Sequence, residues 1–416
     1  MCKLYIKGGR ELFGSVRVQG SKNAVLPVLA ATVLCDGVSI IHDCPTLRDV
    51  NAAIKILELI GCSTKREGKT LYVDSANVNC CCLPDELMRQ MRSSIFFLGA
   101  ITSRCKKAKM CSPGGCELGP RPIDLHIKAL RELGIQVTDI GGCTKTVADK
   151  ITGADIVLDF PSVGATENII LASVFCEGTT RIINAAKEPE INDLQCFINK
   201  MGGRVSGAGT DTVIIEGVKK LRGAEHRVQG DRIVAATYLC AGAVCGGDIE
   251  ITNADSAAMD AVISVIKNTG ADIVSGNDYI RLRSDGKIRP VDILRTMPYP
   301  GFPTDVQAPL TSVLAVADGT SVVVENIFEN RFKHCAELGK MGADIKISGR
   351  AAVIRGVKEL CGANVTAMEL RGGDSLCVAA AAAKGESTVS GMEYIERGYE
   401  NIADDLAMLG ADAKLL

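Results

Sequence analysis

The chain of 416 residues is longer than a single hydrophobic core normally supports, so we predict two domains of similar size. It carries 47 Lys and Arg against 49 Asp and Glu, a net charge of −2. This balance excludes the broad positive field on which nucleic-acid binding depends, and any anion site must therefore be local.

The first elements of the chain show neither an export signal nor a membrane span. Residues 1–8 lack the apolar stretch of a signal peptide, and the longest apolar runs, such as residues 24–35, are too short to cross a bilayer. We therefore expect a cytoplasmic protein that binds neither membrane nor nucleic acid. We expect it to be a monomer or a weak homo-oligomer.

Eighteen cysteines are scattered along the chain without regular pairing, and three of them are adjacent at residues 80–82. Scattered thiols are typical of a reducing compartment, so we predict no disulfide framework. No Cys-x-x-Cys pair occurs and the four histidines are far apart, so the spacing of metal ligands is absent. We expect no structural metal.

A helix followed by a strand recurs six times along the chain, at intervals of 68 to 73 residues. Each copy has a large aliphatic residue four positions before a glycine, and a glycine that closes a periodic helix is a C-cap signal. Strand-like sequence usually follows, as in residues 342–347. The six capping glycines are Gly61, Gly134, Gly202, Gly270, Gly342 and Gly410.

A second helix, rich in Ala, Cys, Leu and Val, precedes each of these helices. Residues 233–240 and 376–383 have no polar stripe, and a helix that is apolar all round must be buried on every side. We therefore predict that these helices form the interior of each domain, with sheets outside. In five units we expect the apolar helix to stop at a glycine, namely at Gly37, Gly178, Gly247, Gly319 and Gly385.

The most informative stretch of the chain, residues 113–122, lies in the second unit. It places Cys116 directly after two glycines and five residues before Arg121. The glycines add no bulk beside the sulfur, and a guanidinium can bind a phosphate or carboxylate through two parallel hydrogen bonds. One interpretation is a reactive cysteine beside a bound anion. The other is a surface turn with an incidental cysteine.

The tetrapeptide Arg-Val-Gln-Gly occurs at residues 17–20 and again at residues 227–230, each time just before a predicted apolar helix. The chain therefore divides into two halves of three units. We interpret the two tetrapeptides as crossings between domains, with their glycines as hinges. We expect one domain over residues 22–229 and a second formed by residues 1–21 and 230–416.

The repeat also aligns polar residues at the starts of the helices. Helix N termini offer N–H groups and partial positive charge, so a site lined by them and by Lys and Arg is suited to binding anions. We therefore expect a ligand that carries phosphates and a carboxylate. The aligned residues are Lys22, Arg92, Thr166, Arg232, Asp305 and Arg371 for the apolar helices, and Arg48, Arg121, Arg331 and Arg397 for the others.

Seven short motifs are spread over nearly the whole length of the chain, at residues 21–24, 91–95, 113–116, 121–126, 188–191, 303–305 and 396–399. Together they closely resemble the family of UDP-N-acetylglucosamine enolpyruvyl transferases. The motifs are specific in combination. The Gly-Gly-Cys loop distinguishes that family from the shikimate-phosphate enolpyruvyl transferases, which share its fold.

The resemblance implies an α/β fold of two inside-out α/β barrels, each built from three inverse βαβαββ units with buried helices and outer sheets. It also implies a transferase that needs no metal and no organic cofactor. The reaction would add the sugar 3-hydroxyl to C2 of phosphoenolpyruvate while C3 is protonated. Phosphate would then leave the tetrahedral intermediate as C3 loses a proton. This reaction begins peptidoglycan synthesis.

The resemblance further implies a role for each residue that matches a motif. Asp305 would be the base that takes the proton of the sugar hydroxyl. Cys116 would protonate C3 or assist product release, and would also form a covalent adduct with phosphoenolpyruvate. Lys22, Arg121 and Arg397 would bind the phosphate and carboxylate of phosphoenolpyruvate.

Further matching positions would complete the positive wall and hold the sugar nucleotide. Arg92 and Arg371 would add positive charge, and Asn23 would donate a hydrogen bond to the substrate or the intermediate. The uracil would lie against Pro122 and Leu125. The nucleotide sugar is expected to contact Arg121, Pro122, Ile123, Asp124, Leu125, Ser162, Val163, Gly164 and Ile327.

Four residues depart from the family's pattern. Glu369 stands where the family commonly has the shorter Asp near the reacting centre, so its role stays open. Tyr394 replaces a frequent histidine, and Glu117-Leu118 replaces a small apolar pair. Two alternative functions are a shikimate-phosphate enolpyruvyl transferase and a non-catalytic paralogue that binds the nucleotide sugar. The retention of the principal site residues argues against the second alternative.

Overall fold

The computed structural model describes residues 2–111 and 123–416. The chain forms two compact units, each with its own hydrophobic core. We refer to residues 2–19 together with residues 230–416 as the 230–416 unit. The described residues between 20 and 229 form the 20–229 unit.

Apart from two helices of four residues each, helices of two kinds alternate along the described chain. One kind is apolar and buried, and the other is amphipathic with one buried face. Two 3-10 helices, Arg92–Ile95 and Ala257–Met259, precede the fourth and ninth α-helices. The α-helices are α1 (Lys22–Thr32), α2 (Arg48–Leu59), α3 (Asp85–Met88), α4 (Phe96–Cys105), α5 (Asp124–Glu132), α6 (Val163–Ser173), α7 (Pro189–Lys200), α8 (Arg232–Cys245), α9 (Asp260–Asn268), α10 (Thr304–Leu314), α11 (His334–Lys340), α12 (Leu370–Ala382), α13 (Met392–Ile395) and α14 (Ile402–Met408).

The strands are short and contain many β-branched residues, which favour the pleated, half-buried surface of a sheet. In chain order they are β1 (Leu4–Gly8), β2 (Leu12–Arg17), β3 (Cys35–Asp36), β4 (Val38–His42), β5 (Ser63–Glu67), β6 (Thr70–Asp74), β7 (Cys82–Leu83), β8 (Lys107–Cys111), β9 (Gln136–Ile140), β10 (Cys143–Val147), β11 (Asp155–Val157), β12 (Thr179–Ile183), β13 (Val205–Ser206), β14 (Thr212–Glu216), β15 (Leu221–Arg222), β16 (Glu225–Arg227), β17 (Gly247–Thr252), β18 (Asp272–Ser275), β19 (Tyr279–Ser284), β20 (Ile293–Arg295), β21 (Thr320–Val324), β22 (Asp344–Ser348), β23 (Ala351–Arg355), β24 (Asn364–Thr366), β25 (Gly385–Ser390) and β26 (Asp412–Leu415).

Each unit contains three four-stranded sheets among its described residues, and every such sheet combines one parallel pair with two antiparallel pairs. In the 20–229 unit the strand orders are β16-β4-β6-β5, β7-β8-β10-β9 and β11-β12-β14-β13, with a small β15-β3 pair besides. In the 230–416 unit they are β18-β19-β17-β2, β20-β21-β23-β22 and β24-β25-β1-β26. The recurrence of one sheet pattern agrees with the six repeats read from the sequence.

The register of the sheets directs one face of each toward the core. In β17, Ile249 lies opposite Gly14 of the parallel neighbour and opposite Leu282 of the antiparallel neighbour. Strand β12 alternates exposed and buried residues along its whole length. This period of two packs one face against helices and leaves the other face to solvent.

The apolar helices are buried, as the sequence predicted. All residues of α8 from Ile233 to Val244 are buried, and α8, α10 and α12 pack against one another. In the 20–229 unit, α4 packs against α6 and α1. A helix that lacks a polar stripe has no face suited to water, so it is stable only when neighbours surround it.

The six predicted capping glycines confirm the repeat, because each follows the end of an amphipathic helix with φ between 81° and 120°. A residue without Cβ adopts this left-handed conformation at little steric cost. The prediction for the other five glycines is wrong in position. Helices α1 and α10 end at Thr32 and Leu314, before Gly37 and Gly319. Those five glycines instead open the following strand or directly precede it.

One pair of cysteines forms a single disulfide, which the sequence did not predict, although fifteen other thiols stay free and no disulfide framework is present among the described residues. Cys111 in β8 and Cys143 in β10 are register partners with Cα atoms 3.9 Å apart, and they form a disulfide. Among the described residues, no helix is long and apolar enough to span a membrane, and no group of three His, Cys, Asp or Glu is placed to hold a metal ion.

Candidate functional site

The predicted site residues fall in three places. Cys116, Arg121 and Pro122 lie outside the described residues, as does the Glu117-Leu118 pair. The 20–229 unit contains Lys22, Asn23, Arg92, Ile123, Asp124, Leu125, Ser162, Val163 and Gly164. The 230–416 unit contains Asp305, Ile327, Glu369, Arg371 and Arg397.

Asp305 is bound by two arginine side chains. It is the second residue of α10, where the helix N terminus favours a carboxylate. Its Oδ1 accepts a hydrogen bond from Arg331 at 2.6 Å, and its Oδ2 accepts one from Arg371 at 3.2 Å. The side chain of Asp305 is 28% exposed, whereas the two arginines are 2% and 5% exposed. The buried guanidinium groups favour the ionised carboxylate, which still has a face open to a reactant.

Arg371 connects Asp305 to a second carboxylate. It is the second residue of α12, and its Nη1 lies 3.4 Å from Oδ2 of Asp374, one turn later on the same helix. Burial lowers the pKa of Arg371, but Asp305, Tyr399 and Asp374 raise it to a net value well above the ordinary one. Arg371 therefore carries a full positive charge between two carboxylates.

Asp374 is fully buried. Its Oδ2 accepts a hydrogen bond from the hydroxyl of Tyr399 at 2.8 Å, and that hydroxyl lies 2.7 Å from the hydroxyl of Thr237 in α8. Burial raises the pKa of Asp374 to about 7, although Arg371 and Tyr399 oppose the rise. Sequence reasoning did not select Asp374. A carboxylate two residues before the apolar run of residues 376–383 was a usable signal.

Glu369 caps the helix that carries Arg371. Its Oε2 accepts a hydrogen bond from the backbone N–H of Arg371 at 2.9 Å, and its Oε1 accepts one from the N–H of Gly372. These bonds satisfy donors that have no partner within the helix. The long side chain that departs from the family's pattern thus fixes the first turn of α12 and the start of the Arg371 side chain.

Ile327 lies in a loop that a buried carboxylate organises. Glu325 accepts hydrogen bonds from the N–H groups of Ile327 and Phe328, at 2.8 Å and 3.1 Å. The hydroxyls of Thr296 and Thr304 also donate to it, both at 2.9 Å. Since Thr304 directly precedes Asp305, Glu325 joins the loop to the start of α10. The sequence offered no signal that would have selected Glu325.

Arg397 lies in a turn after α13 and is half-buried. Its backbone N–H donates to the carbonyl of Tyr394 at 3.3 Å. The following residues are anchored by Gln19, whose amide nitrogen donates to the carbonyl of Gly398 at 3.0 Å and whose oxygen accepts from the N–H of Glu400 at 2.7 Å. The first Arg-Val-Gln-Gly tetrapeptide therefore positions the segment that carries Arg397.

Lys22 is the first residue of α1 in the 20–229 unit. Ser21 caps this helix by accepting the N–H of Ala24 at 3.3 Å, and Asn23 is half-buried beside Lys22. The ammonium group of Lys22 lies 3.9 Å from the carboxylate of Asp49, and their side chains are 14% and 5% exposed. Asp49 orients the lysine, and it was not among the residues predicted from sequence.

The predicted nucleotide-binding residues of the 20–229 unit come from two helices that pack together, α5 and α6. Ser162 caps α6 by accepting the N–H of Ala165 at 3.3 Å, and residues 123–125 lie at the start of α5. A Cβ added at Gly164 would lie 3.5 Å from the ring of His126, an ordinary van der Waals distance, so the start of α6 lies close to that ring of α5. The structure thus brings the two predicted segments together at adjacent helix starts.

His126 is buried behind these segments, and its Nδ1 lies 3.2 Å from the amide nitrogen of Asn168. Burial lowers its pKa to about 4, and the charge of Arg92 contributes to the decrease. Burial also lowers the pKa of Arg92, which begins the 3-10 helix. At neutral pH the imidazole is therefore uncharged, and Arg92 supplies the positive charge near the start of α6.

Known proteins similar to this chain, in sequence or in structure, are carboxyvinyl (enolpyruvyl) transferases. The family described as EPSP synthase (3-phosphoshikimate 1-carboxyvinyltransferase) matches residues 6–406. UDP-N-acetylglucosamine 1-carboxyvinyltransferase 2 of Caldanaerobacter subterraneus subsp. tengcongensis is 51% identical over 412 residues, covering 99% of each chain. The protein of the same name from Clostridium acetobutylicum is 44% identical over 415 residues, covering 100% of this chain and 99% of that protein.

Solved structures support the fold. The enolpyruvyl transferase NikO from Streptomyces tendae has a TM-score of 0.90 at 23% identity, covering 100% of this chain and 98% of that chain. An EPSP synthase from Acinetobacter baumannii has a TM-score of 0.76 at 18% identity and covers 100% of both chains. Identity and coverage along the full length show that the chain belongs to the UDP-N-acetylglucosamine 1-carboxyvinyltransferase family of enolpyruvyl transferases.

Proposed function

We propose that the chain transfers the enolpyruvyl group of phosphoenolpyruvate to the 3-hydroxyl of UDP-N-acetylglucosamine and releases phosphate, the first committed step of peptidoglycan synthesis. The observation that carries this proposal is the 51% identity to a relative of that name over 99% of both chains. The carboxylate of Asp305, bound by two buried arginines and still partly exposed, supports it independently.

In the proposed addition step, Asp305 accepts the proton of the sugar 3-hydroxyl as the sugar oxygen bonds to C2 of phosphoenolpyruvate. C3 receives a proton from Cys116, and a tetrahedral intermediate results. In the elimination step C3 loses a proton to the Cys116 thiolate and the C2–C3 double bond is restored. Phosphate leaves with the proton that Asp305 took up, so both side chains return to their starting states. Arg331 and Arg371 orient the Asp305 carboxylate and favour its ionised form before the reaction begins.

The anions of phosphoenolpyruvate are bound in this proposal by Lys22, Arg121 and Arg397, with Arg92 and Arg371 adding positive charge. Asn23 donates a hydrogen bond to the substrate or the intermediate. The ion pair with Asp49 orients Lys22 without removing its charge. Each such positioned donor is expected to contribute about 3 kcal/mol to transition-state stabilisation.

The sugar nucleotide is bound in this proposal by the paired segments at the starts of α5 and α6, together with Arg121, Pro122 and Ile327. The N terminus of α6, capped by Ser162, directs N–H groups toward an anionic ligand. Glu325 supports the loop of Ile327, and Glu369 acts through its bonds to α12 rather than through the substrate.

We further propose that the 20–229 and 230–416 units are the two enolpyruvyl transferase domains, each with its apolar helices inside and its three sheets outside, as an inside-out α/β barrel. The buried α8, α10 and α12 support this arrangement in one domain. The proposed enzyme uses no metal and no organic cofactor. The fifteen free thiols of the described chain are consistent with a cytoplasmic enzyme.

A phosphate-release assay tests the proposal. The protein is incubated with phosphoenolpyruvate alone, with added UDP-N-acetylglucosamine, or with added shikimate 3-phosphate. We expect release that depends on UDP-N-acetylglucosamine. Release with shikimate 3-phosphate instead would assign the alternative acceptor, and binding of the sugar nucleotide without release would indicate a non-catalytic protein.

A further inference from the structure

A chain of polar contacts begins at Asp305 and leads inward through four further side chains of the 230–416 unit. Arg371 contacts Asp305 and Asp374, Tyr399 donates to Asp374, and the hydroxyls of Tyr399 and Thr237 lie 2.7 Å apart. The exposed fraction of the side chain decreases along this series of contacts, from 28% for Asp305 to 5% for Arg371 and 0% for Asp374. Asp374 therefore acts on a reactant only through Arg371.

We propose that Asp374 is a positioning residue that controls how strongly Arg371 binds the Asp305 carboxylate, and through it how readily Asp305 accepts a proton from the substrate. This inference rests on the proposed role of Asp305 as the base.

The physical basis is that one guanidinium serves two carboxylates. When Asp374 is ionised, the charge of Arg371 is shared, and Asp305 is stabilised less as an anion. When Asp374 is neutral, Arg371 acts on Asp305 alone, so Asp305 becomes a weaker base. Arg331 acts on Asp305 in both cases, because its bond of 2.6 Å goes to the other carboxylate oxygen.

Asp374 is suited to change charge in the working range of an enzyme. Burial raises its pKa to about 7 against the opposing effects of Arg371 and Tyr399. Glu369 also faces it and raises its pKa, and two buried thiols, Cys240 of α8 and Cys377 of α12, lie near enough to interact with it electrostatically. Both thiols stay protonated, since burial raises their pKa values far above neutrality.

The ionised form of Asp374 depends on the hydrogen bonds to its Oδ2, because the carboxylate has no other hydrogen bond within the described residues. Its Oδ1 is buried and has no hydrogen-bond partner among the described residues. An ionised carboxylate in this position is tolerated only because Oδ2 receives both the Arg371 and the Tyr399 donors. Removal of the Tyr399 hydroxyl should therefore shift Asp374 toward its neutral form at a given pH.

The test compares wild type with Asp374→Asn by steady-state phosphate release at pH values from about 5.5 to 8.5. Near the lower limit wild-type Asp374 is neutral, so the ratio of wild-type to variant kcat should be close to one. Near the upper limit it should rise to about three- to tenfold, the effect of about one pK unit on a general base. The KM for UDP-N-acetylglucosamine should change less than twofold. A ratio that does not vary with pH would overturn the inference.

Two further variants separate this role from a structural one. Tyr399→Phe removes the donor to Asp374 but keeps its carboxylate, so the pH at which kcat rises should move upward relative to wild type. This variant decides the question if Asp374→Asn does not fold; an unchanged profile would overturn the inference. Asp405→Asn is the matched control. It alters another hydrogen bond between a tyrosine and a carboxylate of the same unit, the one that the Tyr238 hydroxyl donates to Asp405 at 2.5 Å. Its kcat ratio to wild type should not vary with pH.

The failure of the inference differs from the failure of the proposed function. If wild type releases phosphate with UDP-N-acetylglucosamine and the Asp374→Asn ratio is flat across pH, only the inference is wrong. If wild type releases none with that acceptor, the proposed function and the inference that rests on it are both wrong.

Discussion

Replacement of Arg331 by methionine should lower the free energy of unfolding. The change removes one of the two guanidinium groups that contact Asp305. Methionine keeps an unbranched apolar side chain at this position, where the arginine side chain is 2% exposed. The Arg331 guanidinium also lies over the Phe328 ring, 5.2 Å from its centroid, and that interaction is lost as well. Asp305 retains Arg371.

The expected loss can be worked from the geometry. Two unit charges 2.6 Å apart attract each other by about 6 kcal/mol at an effective dielectric constant near 20. Desolvation of the buried guanidinium offsets much of this, and hydrogen bonds to charged groups contribute about 1.5–3 kcal/mol net. Because Asp305 is 28% exposed and keeps its second arginine, we expect a loss of about 2 kcal/mol.

Urea unfolding followed by circular dichroism measures this loss, since the chain contains no tryptophan to report by fluorescence. Arg355→Met is the matched control. Arg355 lies 3.7 Å from Asp344, and their side chains are 55% and 47% exposed, so this pair should contribute about 0–1 kcal/mol. If Arg331→Met destabilises the protein no more than Arg355→Met, the reasoning about the buried arginine is wrong.

Four other outcomes are expected. Asp305→Asn should lower kcat about 100- to 10,000-fold in the phosphate-release assay, and retention of a tenth of the wild-type rate would exclude it as the base. Cys116→Asp should keep substantial turnover while Cys116→Ser loses it; equal loss would remove the general-acid role. The pKa of His126 is lowered to about 4 in the folded protein, so this histidine binds more protons in the unfolded chain between that pH and about 6.5. The free energy of unfolding should therefore fall by up to about 3 kcal/mol as the pH drops through this range. Urea unfolding of His126→Gln should show a smaller fall, and an identical fall would refute the cause. Iodoacetamide should label exposed Cys361 in the folded protein and buried Cys377 only after denaturation, and early labelling of Cys377 would contradict its burial.

Much of the fold could be predicted from the sequence, because the sequence patterns that indicate it are local. The capping glycines such as Gly202 need a left-handed backbone, and the apolar stretch of α8 needs burial, whatever lies around them. The ends of the apolar helices could not be predicted as well. Gly37 has a positive φ that serves the entry into β4, and nothing local indicated that α1 already ends at Thr32.

The site residues that sequence reasoning missed depend on contacts between distant segments. Asp49 reaches Lys22 from another helix, and Glu325 reaches Thr304 across the start of α10. Arg331 was predicted to help bind an anionic ligand, but the anion it contacts is the carboxylate of Asp305. Such pairings follow from tertiary packing, which a single sequence does not display.

Mass spectrometry of the sugar nucleotide tests the central claim most directly. After incubation with the protein and phosphoenolpyruvate, UDP-N-acetylglucosamine should gain one enolpyruvyl group on its 3-oxygen, and the Asp305→Asn variant should form this product far more slowly. An unmodified sugar nucleotide after incubation with the folded wild-type protein, at substrate concentrations that saturate binding, would contradict the account.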